Sequence, residues 1–583
     1  SEMLVYTSTQ NPNKTQTTVA KVLGWPSHRV RSTTRRIGGG FGGKETDSIR
    51  FASIAAIAAH HEQCPVRLVL DRDQDIETTG KRHAFYAEYE ASVDPSSGKI
   101  KAADIRIFNN AGNWHDLSFP VLQRALFHSD NAYDIEHFRT TGKAVQTNTI
   151  SNTAFRGFGG VQGMLVAESL VNQVAEHIGM EPEKVREINM YASKSAVTPY
   201  GQSIDVDLVG IWNQLKRDAD FEKRRDQVVL FNRENEFRKR GIAMTPCKFG
   251  IAFTATFLNQ GSALVHIYTD GSVMLTHGGV EMGQGLTTKV IQVVADRLGV
   301  PASQVYFSET STDKIANGSA TAASVGSDLY GMAAAKACDE LNERLAVYRK
   351  ALGADAPLSE IASKAYFDRV NLSAHGFYKI PVDGYNFETG QGTPFSYFSS
   401  GAACSEVEVD TLTGDYRTLR SDLVMDVGAS INPSIDIGQI EGAFVQGLGW
   451  LTLEEMVVGD KAHSWAPPGR ITTRGPGAYK IPSFDDIPLE FNVSLYEHSP
   501  NKRAIASSRG VGEPPYFLSA SIYFALRKAI LASRYPHNDG ATKPSSSDYI
   551  LDTPLTSERI RMACHDPQIT SRFDQEFITK GSF

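Results

Sequence analysis

The chain has 583 residues, 41% hydrophobic and 21% charged, enough for several cores and a soft expectation of about four domains or two large ones. Its 59 Lys+Arg against 66 Asp+Glu leave a net charge of −7, which gives no electrostatic basis for binding nucleic acid or an anionic membrane. No apolar run approaches the ~20 residues of a spanning helix.

In chain order, the first residues, EMLVYTSTQNPNKTQ, begin directly in a strand-like run, which suggests a piece of a longer polypeptide. Val30 to Ile37 reads as a basic strand. It leads through Gly38-Gly39-Gly40-Phe41-Gly42-Gly43-Lys44-Glu45 into a helix over Asp47 to His60, with FASIAAIAA (51–59) as a buried helix face. LVLDRDQD (68–75) and IRIFNN (105–110) read as strands, and residues from Gln162 have apolar positions at helical spacing. An irregular polar stretch, 192–207, is the best boundary, followed by a charged helical segment over 215–241. Beyond it, Asp270-Gly271 and Thr413-Gly414-Asp415 mark hairpin turns. The class is α+β with at least two units. Five cysteines, Cys64, Cys247, Cys338, Cys404 and Cys564, are scattered, which argues against a disulfide framework or an iron–sulfur or zinc site within this chain and fits a reducing compartment. The N-terminus lacks the pattern of a signal peptide, and the C-terminal Lys-Gly-Ser-Phe is not a peroxisomal address, so a cytoplasmic protein is expected, with a peroxisomal one as the alternative.

Glycine loops carry the densest signal. Gly38-x-Gly40-x-x-Gly43 fits a dinucleotide fingerprint, with Asp71 at the end of a following strand. The same loop fits a phosphate-binding loop until Glu45, where a hydroxyl should ligate magnesium; a carboxylate there repels phosphate. Further loops at 155–160, 277–285 and 320–324, and the small-residue segment around Val445-Gln446-Gly447, could each direct backbone N–H groups toward an anionic ligand. Several such segments together point to one large cofactor with a phosphate and many polar edges, held by distant parts of the chain.

With these motifs in order, the sequence resembles the molybdenum-cofactor region of the xanthine dehydrogenase and aldehyde oxidase family. The matching motifs are Thr9-Gln10-Asn11, GGGFGGKE (38–45), the run Gln123–His128, AFRGFGG (154–160), FGIAFTATFLNQ (249–260), GGVEMGQG (278–285), TAAS (321–324), AFVQGLG (443–449) and VGEPP (511–515). The resemblance implies two large α+β molybdenum-cofactor-binding domains, residues 1–195 as the C-terminal part of the first and 208–583 as the second, with the cofactor at their interface. It also implies that 2Fe–2S clusters and FAD belong to N-terminal segments absent from this chain, and that the protein is a homodimer.

The chemistry so implied is insertion of a water-derived oxygen into an sp² C–H bond. A base activates a molybdenum-bound hydroxyl, and hydride passes to a sulfido ligand of the metal. Glu513 matches the base, on a loop stiffened by Pro514 and Pro515. Gln10 matches the amide beside the metal, which takes no direct protein ligand. Gly40, Phe41, Arg156, Met282, Gln284, Ala322, Ala323, Ser324 and Gln446 match contacts to the molybdopterin. Phe158 and Phe253 match two rings that sandwich a flat heterocycle, and Thr254 a substrate-binding hydroxyl. Arg124 and Glu45 match the polar pair of the purine-oxidising branch, Arg124 stabilising charge that develops on the ring. The expectation is oxidation of hypoxanthine to xanthine to urate. Apolar Phe119 and Pro120, and Ala255-Thr256, depart from the pattern and point to the alternatives, a nicotinate-like heterocycle or an aldehyde. Two further classes compete: a non-catalytic fragment or subunit, and a nicotinamide-dependent enzyme using Gly38, Gly40 and Gly43.

Overall fold

A computed structural model describes residues 2–192, 196–353, 355–461, 463–497, 499–534 and 551–564. Residues 193–195 of the expected boundary and the C-terminal Lys-Gly-Ser-Phe lie outside the described residues.

The chain opens with β1 (Met3–Tyr6), parallel to β2 (Val30–Thr34) in the register Met3↔Val30 to Tyr6↔Thr33. Helix α1 (Pro12–Leu23) makes the crossover; Asn11 caps it by accepting from the Lys14 N–H, and Gly24 ends it in the left-handed region. Helix α2 (Asp47–Glu62) buries Ala52 and Ala56 against Val5, Val19, Ala20 and Val30. Only that side of α2 is covered: Ile54 and Ile57, three residues apart on the other face, are 49% and 48% exposed. The expected strand over 68–75 does not form. Residues 65–70 form no regular element, are exposed for the most part, and pair with no strand among the described residues. Asp71 then caps α3 (Arg72–Thr78) through a capping box with Gln74, so its carboxylate serves a helix start rather than a strand end.

A sheet of β3 (Phe85–Val93), β4 (Ile100–Gly112) and β5 (His137–Gln146) follows, with β4 central. Its alternating residues Ala103, Ile105 and Ile107 are buried against Leu122 of α4 (Ser118–His128) and Leu170 and Val171 of α5 (Gly160–Ile178). After α6 (Pro182–Asn189), the charged segment divides into α7 (Leu208–Asp218) and α8 (Phe221–Glu234). Its last residues enter β6 (Arg238–Ile251), whose burial outweighs the helical charge pattern before it.

The second half contains two four-stranded sheets. In one, β7 (Gln260–Ile267) and β8 (Val273–His277) form the hairpin expected at Asp270-Gly271, where Gly271 has φ 84°. This sheet continues with β9 (Val305–Phe307), and it is covered by α9 (Leu286–Leu298) and α10 (Gly326–Leu352). Strand β10 (Thr310–Ser311) leaves it to pair with β2 of the N-terminal sheet. Helix α11 (Leu358–Phe367) leads to β11 (Ser373–Lys379), the other edge of the β7 sheet, and then to a small β12 (Gly384–Asn386)–β13 (Gln391–Thr393) hairpin. The other large sheet runs β16 (Glu490–Leu495), β15 (Tyr416–Met425), β14 (Tyr397–Asp410), β6, with the turn at Thr413–Asp415 between β14 and β15. Helix α12 (Pro433–Thr452) lies between β15 and β16 in sequence. Helix α13 (Ala520–Arg534) lies on β6 and β14. It approaches β6 so closely that a Cβ on Gly241 would stand 1.9 Å from the Ala525 carbonyl oxygen. Helix α14 (Ser557–Ala563) closes the described chain.

Candidate active site

One cavity of about 610 Å³ gathers all the residues that the sequence singles out. Gln10, Gly40, Phe41, Glu45, Arg124, Arg156, Phe158, Phe253, Thr254, Met282, Gln284, Ala322, Ala323, Ser324, Gln446 and Glu513 all line it, although they span almost the whole chain. The motifs converge because loops at element ends meet there: the β2–α2 loop, the turn before α5, the end of β6, the start of α9, the start of α10, and the loop before α13.

Gln10 joins two of these loops. Its Oε1 accepts from the Gly42 N–H at 2.9 Å, and its Nε2 donates to the Thr321 carbonyl at 2.9 Å, which leaves one amide hydrogen for a ligand. Gly40 must lack a side chain, since a Cβ would lie 2.6 Å from Gln10 Oε1. At Gly38, Gly283 and Gly442, which also line the cavity, an added Cβ would meet only open space. The backbone is strained around this space, with positive φ at Phe41 (53°), Phe158 (45°), Ala323 (56°) and Ser324 (58°).

Arg156 spends its guanidinium on the protein. Nε donates to the Gly512 carbonyl at 2.5 Å, Nη1 to Gln446 Oε1 at 3.2 Å, and Nη2 to Gln439 Oε1 at 3.2 Å. Desolvation pulls it down to about 10. It therefore clamps the α5 turn to α12 and to the loop before α13. Gln446 sits inside α12 rather than at a helix start, so it offers a side-chain amide to the cavity and not the free N–H groups expected of it. Gln439 did not stand out in the sequence, but it lies seven residues before Gln446, two turns along the same helix face. Met282 and Gln284 bond within their own loop, the Met282 N–H donating to Gln284 Oε1 at 2.7 Å.

Glu513 is fixed at both oxygens. Oε1 accepts from the Gly157 N–H at 3.0 Å and Oε2 from the Ser324 hydroxyl at 2.9 Å, while that hydroxyl accepts from the Glu513 N–H at 2.9 Å. Each carboxylate oxygen keeps an unused lone pair. Glu45 is buried, and desolvation, with the nearby Asp116 and Glu513 carboxylates, pushes it up to about 8, so it carries its proton at neutral pH. Arg124, also buried, donates from Nη1 to the Gly250 carbonyl at 3.0 Å and from Nη2 to that of Ala252; its Nε has no protein partner. Desolvation lowers it from its ordinary value. The Phe253 backbone is clasped by Asn259, which accepts from its N–H at 2.9 Å and donates to its carbonyl at 2.8 Å.

The cavity also takes in Asp328, Lys289 and Arg509, none of which the motifs include. Burial pushes Asp328 up to about 6, and Tyr397 donates to it at 2.6 Å. Among the described residues no group of three or more His, Cys, Asp or Glu is placed to hold a metal ion. The glycine-lined space, the remaining hydrogen of Gln10 and the cavity-facing amide of Gln446 fit a large polar cofactor. The dinucleotide alternative loses its supports: the N-terminal sheet has three strands, one of them antiparallel, and Asp71 is a helix cap.

Two family models, each described as a molybdopterin cofactor-binding domain, match residues 1–190 and 214–488. The xanthine dehydrogenase of Oryza sativa subsp. japonica is 51% identical over 573 residues, 98% of this chain and 41% of its own length. The xanthine dehydrogenase/oxidase of Rattus norvegicus is 50% identical over 566 residues, 97% of this chain and 42% of its own. The chain thus spans about two fifths of these relatives. Among solved structures, the aldehyde oxidoreductase from Desulfovibrio desulfuricans ATCC 27774 superposes with a TM-score of 0.82 at 24% identity, over 96% of this chain and 58% of that one. Quinoline 2-oxidoreductase from Pseudomonas putida 86 does so with a TM-score of 0.82 at 23% identity, over 96% and 72%. These two share the fold. The chain belongs to the molybdopterin cofactor-binding family and corresponds to the molybdenum-cofactor-binding portion of the xanthine dehydrogenases.

Proposed function

We propose that this chain is the catalytic portion of a molybdenum hydroxylase that oxidises purines, hypoxanthine to xanthine to urate. The observation that carries the reading is that Glu45, whose burial favours the protonated carboxyl, and Arg124 both line the cavity that also holds Phe158, Phe253 and Glu513. A purine is flat and rimmed by acceptors: rings suit its faces, an acid O–H suits a ring nitrogen or oxygen, and a guanidinium suits an oxygen that gains charge. When bound, the molybdenum–molybdopterin group supplies a two-electron oxidising centre and a site for water-derived oxygen. Gln10, Gly40, Phe41, Met282, Gln284, Ala322, Ala323, Ser324, Gln446 and Arg156 hold it, Arg156 and Gln284 through the loops they brace. Gln10 meets it with its free amide hydrogen. Glu513 takes the proton of the attacking hydroxyl on a lone pair that Gly157 and Ser324 leave open. Arg124 and Glu45 orient the ring and carry its developing charge, and Thr254 adds a hydroxyl at the rim.

The two units are 1–195 and 208–583. Electrons leave toward 2Fe–2S clusters and FAD in further segments of a longer protein, and the greater length of the relatives supports such segments; the whole protein is a cytoplasmic homodimer in this reading. A second reading, a nicotinate-like heterocycle or an aldehyde, has one observation in its favour: Leu117, Pro120, Ala255 and Leu258 make part of the lining apolar. Steady-state rates with hypoxanthine, nicotinate and an aromatic aldehyde separate the two, and turnover of aldehyde alone overturns the purine reading. Molybdenum and pterin near one each per chain are expected after expression in a cofactor-competent host. Folded protein without molybdenum would instead indicate a non-catalytic fragment.

A further inference from the structure

Arg124 is held by a closed ring of hydrogen bonds whose third member is His128, a residue with no role in the chemistry above. The carbonyl of Arg124 can only accept, so His128 Nδ1, 2.8 Å away, donates to it. The Gly250 N–H lies 3.0 Å from His128 Nε2, which therefore accepts. The Gly250 carbonyl in turn accepts from Arg124 Nη1 at 3.0 Å. Helix α4 thus engages both polar groups of Gly250, one through Arg124 and one through His128. Both ring nitrogens are committed, and only the neutral Nδ1–H tautomer satisfies the two bonds.

Packing leaves the imidazole no other position. His128 is buried, with its ring 4.8 Å from that of Phe249 and 5.3 Å from that of Phe395, and the Arg124 guanidinium lies 5.3 Å from each of the same two rings. From behind, a Cβ on Gly160 would come within 2.9 Å of Phe249 and 3.3 Å of His128. The strand end so anchored, Phe249 to Ala252, continues directly into Phe253 and Thr254 of the cavity.

We propose that His128 is a positioning residue that sets the substrate selectivity of this site, by fixing the Arg124 guanidinium relative to the Phe253 ring. The inference rests on the purine reading above. It concerns the register between a helix and a strand end, so its loss shows in substrates that need Arg124 more than in those that do not. An aromatic aldehyde, which brings no ring oxygen to a guanidinium, is the internal reference.

The test uses the molybdenum-loaded protein and three variants. His128→Gln keeps an acceptor for the Gly250 N–H and loses the donor to Arg124; His128→Asn does the reverse; His128→Leu loses both. Each is assayed for kcat and KM with hypoxanthine and benzaldehyde, alongside molybdenum content per chain. The ratio of hypoxanthine to benzaldehyde kcat/KM is expected to fall about tenfold in the Gln and Asn variants. In the Leu variant it is expected to fall about 100-fold, the scale of an ångström-level misplacement. Should the Leu variant not fold, the Gln and Asn variants still decide. An unchanged ratio in these two, or losses equal for both substrates, overturns the inference. A wild-type protein that turns over benzaldehyde but no purine overturns the purine reading, and this inference with it.

Discussion

Glu513 and Glu45 face the same cavity, yet their surroundings set them to different tasks. Glu513 receives two hydrogen bonds, one at each oxygen. Glu513→Gln keeps the size and one acceptor but removes the proposed base, so kcat is expected to fall by about 10³-fold at unchanged molybdenum content, measured by turnover and metal analysis. Glu45 ionises at about 8 in the folded chain against an ordinary 4.5. The unfolded chain releases that proton first, so stability is lost as pH rises from 4.5 to about 8 and levels off above. Glu45→Gln removes this slope. Its melting midpoint is expected to exceed that of the wild type at pH 7 and to approach it at pH 5, a difference on the order of 3 kcal/mol at the higher pH. The same proton predicts a KM for purine that climbs above pH 8 in the wild type and stays flat in the Gln variant, which keeps an N–H donor. The residues themselves were legible in the sequence because the motifs that carry them are rare and ordered. What Arg156 does was not: an arginine in a glycine loop reads as a ligand for anions, and only the fold shows that Gln439, Gln446 and Gly512 occupy it.

Elements were legible where a local rule acted alone. The Asp270-Gly271 and Thr413–Asp415 turns join the strands expected of them, and α2, α5 and α9 follow their glycine loops. The pattern misled where a tertiary partner decides. LVLDRDQD has strand composition but no neighbour to pair with among the described residues, and its acidic half goes into a capped helix instead. Gln446 looked like a loop residue because α12 is rich in glycine around it, and packing held the helix together. Within the β2–α2 loop, Gly40 is the glycine that stands against Gln10, with an added Cβ 2.6 Å from its Oε1. Gly40→Ala sets a methyl against the Gln10 amide and is expected to cost about 1–3 kcal/mol and to lower molybdenum occupancy, read by melting midpoint and metal content.

Across the whole molecule, the N-terminal sheet takes its third strand, β10, from beyond residue 300, and Arg527 and Lys528 of α13 reach back to Glu176 and Glu183. No sequence pattern announces such pairings, because a two-residue strand and an ion pair between distant helices leave no local period. The cavity's shape therefore depends on both halves of the chain. The exposed, unpaired run over residues 65–70 has another consequence, for behaviour in concentrated solution. Val69, 69% exposed, sits in a backbone whose donors and acceptors face no strand, near the C-terminal end of a helix that also shows Ile54 and Ile57 to water. Such a run can recruit an identical run from another molecule. Light scattering of the purified chain is expected to rise with concentration, and Val69→Lys to suppress that rise without altering turnover per molecule. The ceiling on handling this protein would then be set by six residues that take no part in its chemistry.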